Sequence, residues 1–548
     1  MRSPSLSLVT LFALTACSSG SEPGSPFITP DARVFADATL LPLDAGSLDS
    51  GEAPADVGPA DGGMAPDSGP PDAGRIEDSG LPIDAGQIAD SGTVPAPCAL
   101  DLGLSDRALF DALLLCLSDS ASTGPEQVLA RDTFVQTVLS RGGFPIVQGG
   151  EVTFFYVRDP AFDAEDDKNT AEDYAAELRR APIRVAGAFN AWDPDAGLVM
   201  TSAPQDVFHL TTALDVAGSD RWGYKLVAKD DGGADTWFSD PLSKRFDYDD
   251  NGRISIVRGG MSQGHLELLR SVQATQLANQ RDVYLYLPPG YETSTSTYAV
   301  LYMHDGNNLF SEAQPNSAPA SWQADQVFES ELSASTVAPF IIVGVPNNAD
   351  RRDEYTHVTD DTSSGMAGGA GDAYADFIVN DLKPLVDARY RSDPRRQATG
   401  VMGSSLGGLI SFYIGLLHPN TFRFVGGMSS TFDWGRFGLS NPDMVQTYQA
   451  ISSLPGRDQV YYLDSGGGPP TAGCSTAAGS GSDNYCSTAR MRDTLVAAGI
   501  GTFPLDPDVV PLSPAGINIM HWWTPDAPHN ESAWQARLHR AFRLFSRP

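Results

Sequence analysis

The sequence predicts an α/β fold with a mostly parallel central sheet, preceded by a β-sandwich and a disordered stalk. Across 261–548, short apolar β-rich runs alternate with amphipathic stretches, which is typical of strands and helices around a parallel sheet. Residues 143–260 instead hold short β-rich runs separated by Gly, Asp and Asn, which favours a sandwich. Residues 18–97 are mainly Pro, Gly, Ala, Ser and Asp, a composition that cannot build a core.

Length and charge limit the possible classes of protein. The chain has 548 residues and a formal net charge of −33, with 69 acidic against 36 basic side chains. This charge argues against nucleic acid and anionic lipid headgroups as partners. The sequence offers no apolar stretch of about 18 residues that could span a bilayer.

The first 17 residues have the form of an export signal. Arg2 gives a positive start, and 6–16 are mostly apolar and small. Residues 14–17, LTAC, resemble the lipobox of bacterial lipoproteins, which implies cleavage before Cys17 and lipidation of that cysteine. Ser18 in the next position favours the outer membrane. The alternative is an ordinary signal peptide with a chance cysteine.

The predicted stalk, 18–97, is acidic and repetitive. It holds 14 acidic residues against Arg33 and Arg75, and Asp-Ser-Gly or Asp-Ala-Gly recurs five times between 67 and 92. A calcium-binding repeat would need apolar positions to stack upon, and these units have none. We therefore predict a self-repelling tether that holds the folded part away from the membrane.

The four remaining cysteines are expected to form disulfides in an oxidising compartment. Proximity in sequence favours Cys98–Cys116 and Cys474–Cys486, although four cysteines allow three pairings. The first pair lies in 98–142, where apolar residues at helical spacing predict two helices.

Within the predicted sandwich, 185–193 (VAGAFNAWD) resembles early-set modules related to glycogen-binding domains. The stretches YKLV at 224–227 and WFSDP at 237–241 fall where that family has its next motifs. The resemblance implies that Trp192, Lys225 and Trp237 grip a glycan. The alternative is that all three are structural and that the sandwich braces the following domain.

The strongest chemical signal is GSSLGG at 403–408, a G-x-S-x-G motif between an apolar strand and a helical run. This context is that of a nucleophile elbow, where small flanking residues let the serine side chain point outward. The motif predicts Ser405 as a nucleophile, while Ser404 lies in the wrong register.

A serine nucleophile needs a histidine base and an acid, which follow an elbow serine in the order acid, then histidine. His521, His529 and His539 lie late enough, and only His529 falls in a loop between a strand and the last helix. The acid is expected after the strand at 460–463, where either Asp483 or Asp464 fits. Asp483 is preferred because Asp464 ends the strand directly, where its side chain can instead satisfy backbone groups of the turn. A Cys474–Cys486 bridge would then hold Asp483 in place.

Two backbone N–H groups are needed to stabilise an oxyanion. We predict those of Leu406, directly after the nucleophile, and Asn307, in the loop that follows the strand at 300–303. His304 and Asp305 in that loop have no partners at metal-ligand spacing, so no metal and no cofactor are expected.

Several motifs in the correct order resemble the esterase D family, which includes feruloyl and acetyl-xylan esterases and enterochelin esterases. They are LYMHDG at 301–306, RDEY at 352–355, YRSDPR at 390–395, GSSLGGL at 403–409 and PHNE at 528–531. The resemblance covers about 270–548 and implies an α/β-hydrolase fold and a serine carboxylic-ester hydrolase. Members often carry G-T-x-D near the acid, whereas this sequence has GGGPP at 466–470.

The favoured hypothesis is an ester hydrolase anchored by lipid at the cell envelope, acting on acetyl or feruloyl esters of a polysaccharide. A ferric-siderophore esterase is the first alternative. Residues 98–548 still carry a charge of −22, which is unfavourable for an anionic ferric complex. The second alternative is a catalytically inactive carbohydrate-binding lipoprotein. The sequence predicts no oligomeric state.

Overall fold

The computed structural model describes residues 98–546, apart from 163–178, 215–221, 250, 315–319, 452–457, 472, 475–480 and 501–517. The predicted signal peptide with Cys17 and the predicted stalk at 18–97 lie outside the described residues. No helix within the described residues is long and apolar enough to cross a membrane.

The two predicted N-terminal helices are present. They are α1 (Asp106–Ser118) and α2 (Gly124–Ser140). Thr123 and Glu126 form a capping box at the start of α2, which satisfies N–H groups that the helix itself cannot. A disulfide joins Cys98 to Cys116 within α1, as predicted.

Nine strands follow the helices in the residues that the structure describes. They are β1 (Ile146–Gln148), β2 (Glu151–Val157), β3 (Arg180–Gly187), β4 (Thr201–Ala203), β5 (Val207–Ala213), β6 (Gly223–Lys229), β7 (Asp235–Phe238), β8 (Arg245–Asp249) and β9 (Gly252–Ile256). β1, β2, β5 and β4 form an antiparallel sheet, whereas β3, β7 and β9 pair with β6 and β8 pairs with β9. Because successive side chains of β2 point to opposite faces, Phe154 packs toward the β6 sheet and Phe155 packs on the two helices.

The C-terminal part is built around a mixed sheet. Its strands are β10 (His265–Ala274), β11 (Asn279–Leu287), β12 (Ala299–His304), β13 (Phe340–Val345), β16 (Thr399–Ser404), β17 (Phe424–Met428), β18 (Val460–Ser465) and β19 (Ile519–Trp523), with a separate hairpin of β14 (Thr359–Thr362) and β15 (Gly365–Gly368). The order β19-β18-β17-β16-β12-β13 is parallel throughout, whereas β11 and β10 run antiparallel. The predicted α/β fold with a mostly parallel sheet is confirmed.

Helices cover both faces of this sheet. They are α3 (Ala324–Ser333), α4 (Arg351–Glu354), α5 (Gly371–Asp376), α6 (Lys383–Arg389), α7 (Leu406–Leu417), α8 (Met444–Gln449), α9 (Tyr485–Ala497) and α10 (Glu531–Phe545). One apolar core forms under α7 and α9, and a second forms under α3 and α10. Burial of the strands on both faces explains why they are continuous apolar runs in the sequence.

The central sheet continues into the sandwich. β8 pairs with β10 through Leu266 opposite Phe246 and Glu267 opposite Arg245. This pairing joins the two parts into one sheet, which has thirteen strands within the described ranges. The segments predicted as separate, 143–260 and 261–548, are therefore connected by strand pairing as well as by the chain. Composition and periodicity carry no information on such pairing between distant strands.

Candidate active site

Ser405 occupies the sharp turn between β16 and α7. Its backbone angles, φ 56° and ψ −122°, lie in a strained region that a serine adopts only where the surrounding structure enforces it. A Cβ on Gly403 would lie 2.7 Å from the carbonyl carbon of Gly407, so the turn requires glycine at this crossing. The geometry is that of the nucleophile elbow that the motif predicts.

Backbone contacts hold Ser405 in this turn. Its N–H donates to the carbonyl of Met428 at 2.9 Å, and the Thr431 N–H donates to the Ser405 carbonyl at 3.0 Å. The Ser405 Oγ lies 3.2 Å from the Thr431 Oγ1. Ser404, in contrast, is buried in β16, so the register expected from the motif agrees with the geometry.

His529 lies in the loop between β19 and α10, as predicted. Its Nδ1 is 2.5 Å from Asp483 Oδ1, and its ring meets Trp534 edge-on with centroids 5.0 Å apart. The next residue, Asn530, caps α10 by accepting the Ala533 N–H at 3.0 Å, which fixes where the helix begins. The His529 side chain is 37% exposed while that of Asp483 is 2% exposed, so the carboxylate is buried and the imidazole reaches solvent.

The other two late histidines lie elsewhere. Burial lowers the pKa of His521 to about 4, and its Nδ1 lies 3.4 Å from Arg492 Nη1. His539 lies in the middle of α10. These positions agree with the prediction that neither His521 nor His539 is the base.

Asp483 is held at its second oxygen as well. Its Oδ2 accepts the Ser429 hydroxyl at 2.7 Å and the Gly466 N–H, which leaves Oδ1 for His529. Ser429 in turn accepts from Trp534 Nε1 at 3.1 Å and from Arg537 Nη2 at 3.0 Å. This network fixes the carboxylate, as a triad acid requires.

Asp464, the alternative acid, has a different environment. It is fully buried at the end of β18, where its oxygens lie 3.1 Å from Arg537 Nε and 3.2 Å from Arg537 Nη2. The Tyr462 hydroxyl donates to it at 2.8 Å. Its described contacts do not include His529, so the geometry favours Asp483, and the catalytic assignment itself stays a prediction.

The serine and the histidine are brought to the same edge of the sheet. Ser405 follows β16 and His529 follows β19, and both strands run parallel, so their carboxyl ends share one side. Within the described residues, the Ser405 hydroxyl bonds to Thr431 and no bond to His529 is formed. Hydrogen bonds between catalytic groups are often long without substrate and tighten when it binds.

The two predicted oxyanion donors lie at turns with polar surroundings. Leu406 is the first residue of α7, where helix N–H groups lack partners within the helix. Asn307 lies in a short 3-10 turn after β12, and its side chain accepts the Asn347 N–H at 3.3 Å. A Cβ on Gly306 would lie 2.4 Å from the carbonyl carbon of Gly344, so this turn needs glycine.

His304 and Asp305 have structural surroundings. Burial lowers the pKa of His304 to about 3, and its Nδ1 lies 3.0 Å from the Tyr374 hydroxyl. Asp305 pairs with Arg351 at 2.6 Å, and the guanidinium contributes to the lowered pKa of this buried carboxyl. The described part of the chain contains no group of three or more His, Cys, Asp or Glu side chains placed to hold a metal ion.

The three predicted glycan-binding residues differ in exposure. Trp192 is 37% exposed and Trp237 is half-buried. Lys225 is buried at 4% exposure, and its ammonium donates to the Asn251 carbonyl at 2.8 Å. This burial contradicts the expectation that Lys225 grips a glycan, because the side chain is committed to a loop carbonyl. Glycan binding through the two tryptophans stays a prediction.

The disulfide between Cys474 and Cys486 is present, as predicted. Cys486 lies in the first turn of α9, three residues after Asp483. Asp483 and Asn484 both have left-handed backbone angles, with φ 49° and 57°. The bridge therefore anchors the chain directly behind the turn that presents the candidate acid.

Removing this bridge is expected to lower kcat/KM between about 10- and 100-fold, because small displacements of a catalytic group are costly. The variant is Cys474→Ser with Cys486→Ser, assayed on p-nitrophenyl acetate. Its control is Cys98→Ser with Cys116→Ser, which opens a loop of similar length far from the elbow in sequence. Each double variant should lose about 3 kcal/mol in its free energy of unfolding. Equal kcat/KM values for the two variants would contradict the prediction.

Sequence reasoning missed Thr431, Asn484 and Ser429. Asn484 donates through Nδ2 to the Ser429 carbonyl at 2.6 Å and to Thr431 Oγ1 at 3.3 Å. The available signal was the polar run Ser-Ser-Thr at 429–431 directly after β17, because polar residues at the carboxyl end of a parallel strand face the site edge.

Several known proteins are similar to this chain in sequence. The family model described as "Putative esterase" matches residues 274–545. The uncharacterized protein YbbA of Bacillus subtilis (strain 168) is 28% identical over 192 residues, which cover 33% of this chain and 72% of that protein. The ferri-bacillibactin esterase BesA of the same organism is 26% identical over 153 residues, or 25% of this chain and half of its own length.

Two solved structures are also similar to the chain. The enterobactin esterase FES from Shigella flexneri has 16% identity and a TM-score of 0.37, and the match covers 72% of this chain and 93% of that one. A ferulic acid esterase has 15% identity and a TM-score of 0.36, with 52% of this chain and 98% of that one covered.

Proposed function

Because residues 274–545 belong to the esterase family, the chain is a serine carboxylic-ester hydrolase, and we propose that Ser405, His529 and Asp483 form its catalytic triad. The observation that carries the assignment is the 2.5 Å contact between His529 Nδ1 and Asp483 Oδ1 at the sheet edge that bears the elbow. Asp483 occupies Nδ1, so Nε2 is the nitrogen left to act as a base.

In this proposal, His529 Nε2 takes the proton of the Ser405 hydroxyl as Oγ bonds to the ester carbonyl carbon. Asp483 stabilises the imidazolium that forms. The N–H groups of Leu406 and Asn307 donate to the carbonyl oxygen as it becomes negative. His529 then returns the proton to the leaving alcohol, and water releases the acyl group from Ser405 by the same steps.

We further propose that the substrate is an acylated polysaccharide carrying acetyl or feruloyl esters, and that the enzyme works at the cell envelope. The predicted lipid anchor at Cys17 and the acidic stalk at 18–97 support this location, because they would place the hydrolase outside the cytoplasm, where polymers are found. The exposed Trp192 supports it as well, since an indole face can stack on a sugar ring.

A ferric-siderophore esterase is the second candidate. The observation that favours it is the sequence similarity to BesA, which is named as an esterase of ferri-bacillibactin. The charge of −22 on residues 98–548 disfavours it, because ferric catecholate complexes are anionic.

A panel of esters separates these candidates. Acetylated xylan, methyl ferulate and a ferric catecholate trilactone are offered to the wild type, and Ser405→Ala reports the background. Highest kcat/KM on the first two supports the polysaccharide proposal, and highest kcat/KM on the trilactone supports the siderophore function. Inactivity of a folded wild type on every ester would favour the inactive carbohydrate-binding lipoprotein.

Replacing Cys17 by serine is expected to release the protein from the membrane fraction, because serine cannot carry the thioether-linked lipid. The measurement is fractionation of cells that express the full chain, followed by immunoblotting. Cys98→Ser with Cys116→Ser is the control and should stay in the membrane fraction. Retention of the Cys17→Ser protein in the membrane would show that the lipobox interpretation is wrong.

A further inference from the structure

The hydroxyl of Thr431 lies against the proposed nucleophile. Thr431 Oγ1 is 3.2 Å from Ser405 Oγ, and the Thr431 N–H also donates to the Ser405 carbonyl at 3.0 Å. The backbone bond fixes the position of Thr431 independently of its side chain. The hydroxyl can therefore be altered without moving the loop that follows β17.

Asn484 determines the direction of the hydrogen bond between the two hydroxyls. Its Nδ2 lies 2.6 Å from the Ser429 carbonyl oxygen, which only accepts, so the amide nitrogen must face that carbonyl. The second hydrogen of Nδ2 is then directed to Thr431 Oγ1 at 3.3 Å. Since Thr431 accepts from Asn484, its own hydrogen is free to be donated.

Ser405 Oγ is the acceptor that remains for the Thr431 hydrogen among the residues that the structure describes. If Ser405 donated instead, the Thr431 hydrogen would have no acceptor there, and the Ser405 proton would point away from the base. The opposite direction gives the Thr431 hydrogen an acceptor and leaves the Ser405 proton available for transfer.

We propose that Thr431 is a further catalytic residue that donates a hydrogen bond to the Ser405 Oγ, and that Asn484 is the positioning residue that orients it. The inference rests on the proposed triad. When the Ser405 O–H bond breaks, its proton goes to His529 Nε2 and Oγ bonds to the acyl carbon. The Thr431 donor stabilises the negative charge that builds on Oγ during the attack, and again when Oγ leaves in deacylation.

The position of Asn484 links this donor to the triad acid. Asp483 and Asn484 are consecutive in one left-handed turn, which presents the carboxylate to His529 and the amide to Thr431. One loop therefore orients both the base and the nucleophile. The Cys474–Cys486 bridge anchors this loop, so it supports both contacts.

The decisive variants alter the Thr431 side chain. Thr431→Val keeps the shape and removes the donor, and it is expected to lower kcat on p-nitrophenyl acetate by about 10- to 100-fold with KM little changed. Thr431→Ser restores a hydroxyl and should recover most of that loss. Ser430→Ala is the matched control, because this adjacent buried hydroxyl has no hydrogen-bond partner among the described residues, and its kcat should equal that of the wild type.

Asn484→Asp tests the direction of the bond. A carboxylate only accepts, so it would draw the Thr431 hydrogen away from Ser405 and reproduce the loss of Thr431→Val. The second readout is the rate constant for inactivation by a fluorophosphonate, which reports the reactivity of Ser405 without any ester substrate. It should fall in parallel with kcat in Thr431→Val and Asn484→Asp.

The outcomes separate this inference from the triad. A wild type that is neither active nor labelled at Ser405 would overturn the proposed triad. An active, labelled wild type with a folded Thr431→Val of equal kcat and inactivation rate would overturn the inference alone. So would Thr431→Ser as slow as Thr431→Val, because the hydroxyl would then not be the group responsible.

Discussion

Replacing Ser405 by alanine is expected to reduce kcat on p-nitrophenyl acetate by about 10⁴- to 10⁶-fold. The loss is large because the covalent route disappears altogether, and the remaining groups can only assist direct attack by water. The fold should persist, because the backbone N–H and carbonyl of residue 405, which bond to Met428 and Thr431, are kept. Circular dichroism and the melting temperature check this.

Ser404→Ala provides the matched control for this experiment. Ser404 precedes the nucleophile in the chain, but its side chain is buried in β16. A fluorophosphonate should therefore label the Ser404→Ala protein at Ser405 and leave the Ser405→Ala protein unlabelled. Peptide mapping that found the label on Ser404 would contradict the proposed register of the elbow.

The sequence was sufficient for the elements whose signals are local. The G-x-S-x-G motif between strand and helix placed Ser405 correctly on its turn, because that turn needs small residues at 403 and 407. Chain order led to His529, because only its loop lies between a late strand and the last helix. The buried parallel strands were visible as continuous apolar runs for the same reason, since both of their faces are covered.

The remaining features depend on contacts between segments far apart in the chain. Lys225 matches a glycan-binding position in sequence, yet its ammonium donates to the Asn251 carbonyl. The pairing of β8 with β10 involves only two residue pairs and leaves no mark on periodicity. Thr431 reaches Ser405 only because β17 lies beside β16 in the sheet. None of these relations follows from spacing along the chain.

The choice between the two candidate acids also depends on contacts between segments far apart in the chain. Asp464 and Asp483 both follow the strand at 460–463, and sequence position alone cannot say which carboxylate turns toward the histidine. The structure separates them by partner, since Asp464 faces Arg537 and Asp483 faces His529. Each partner predicts a different consequence when the carboxylate becomes an amide.

Asp483→Asn is expected to reduce kcat by about 10⁴-fold in a protein that remains folded, because an amide cannot stabilise the imidazolium of His529 and favours the wrong tautomer. Asp464→Asn should instead leave the Arg537 guanidinium without its closest buried counter-charge, which costs about 3 to 5 kcal/mol of stability. Its kcat should be largely retained at a temperature where it is folded. Denaturant unfolding and steady-state kinetics on both variants test this crossed pattern. A folded Asp464→Asn without turnover, beside an active Asp483→Asn, would place the acid at the end of β18 and make the bridged loop a structural elaboration.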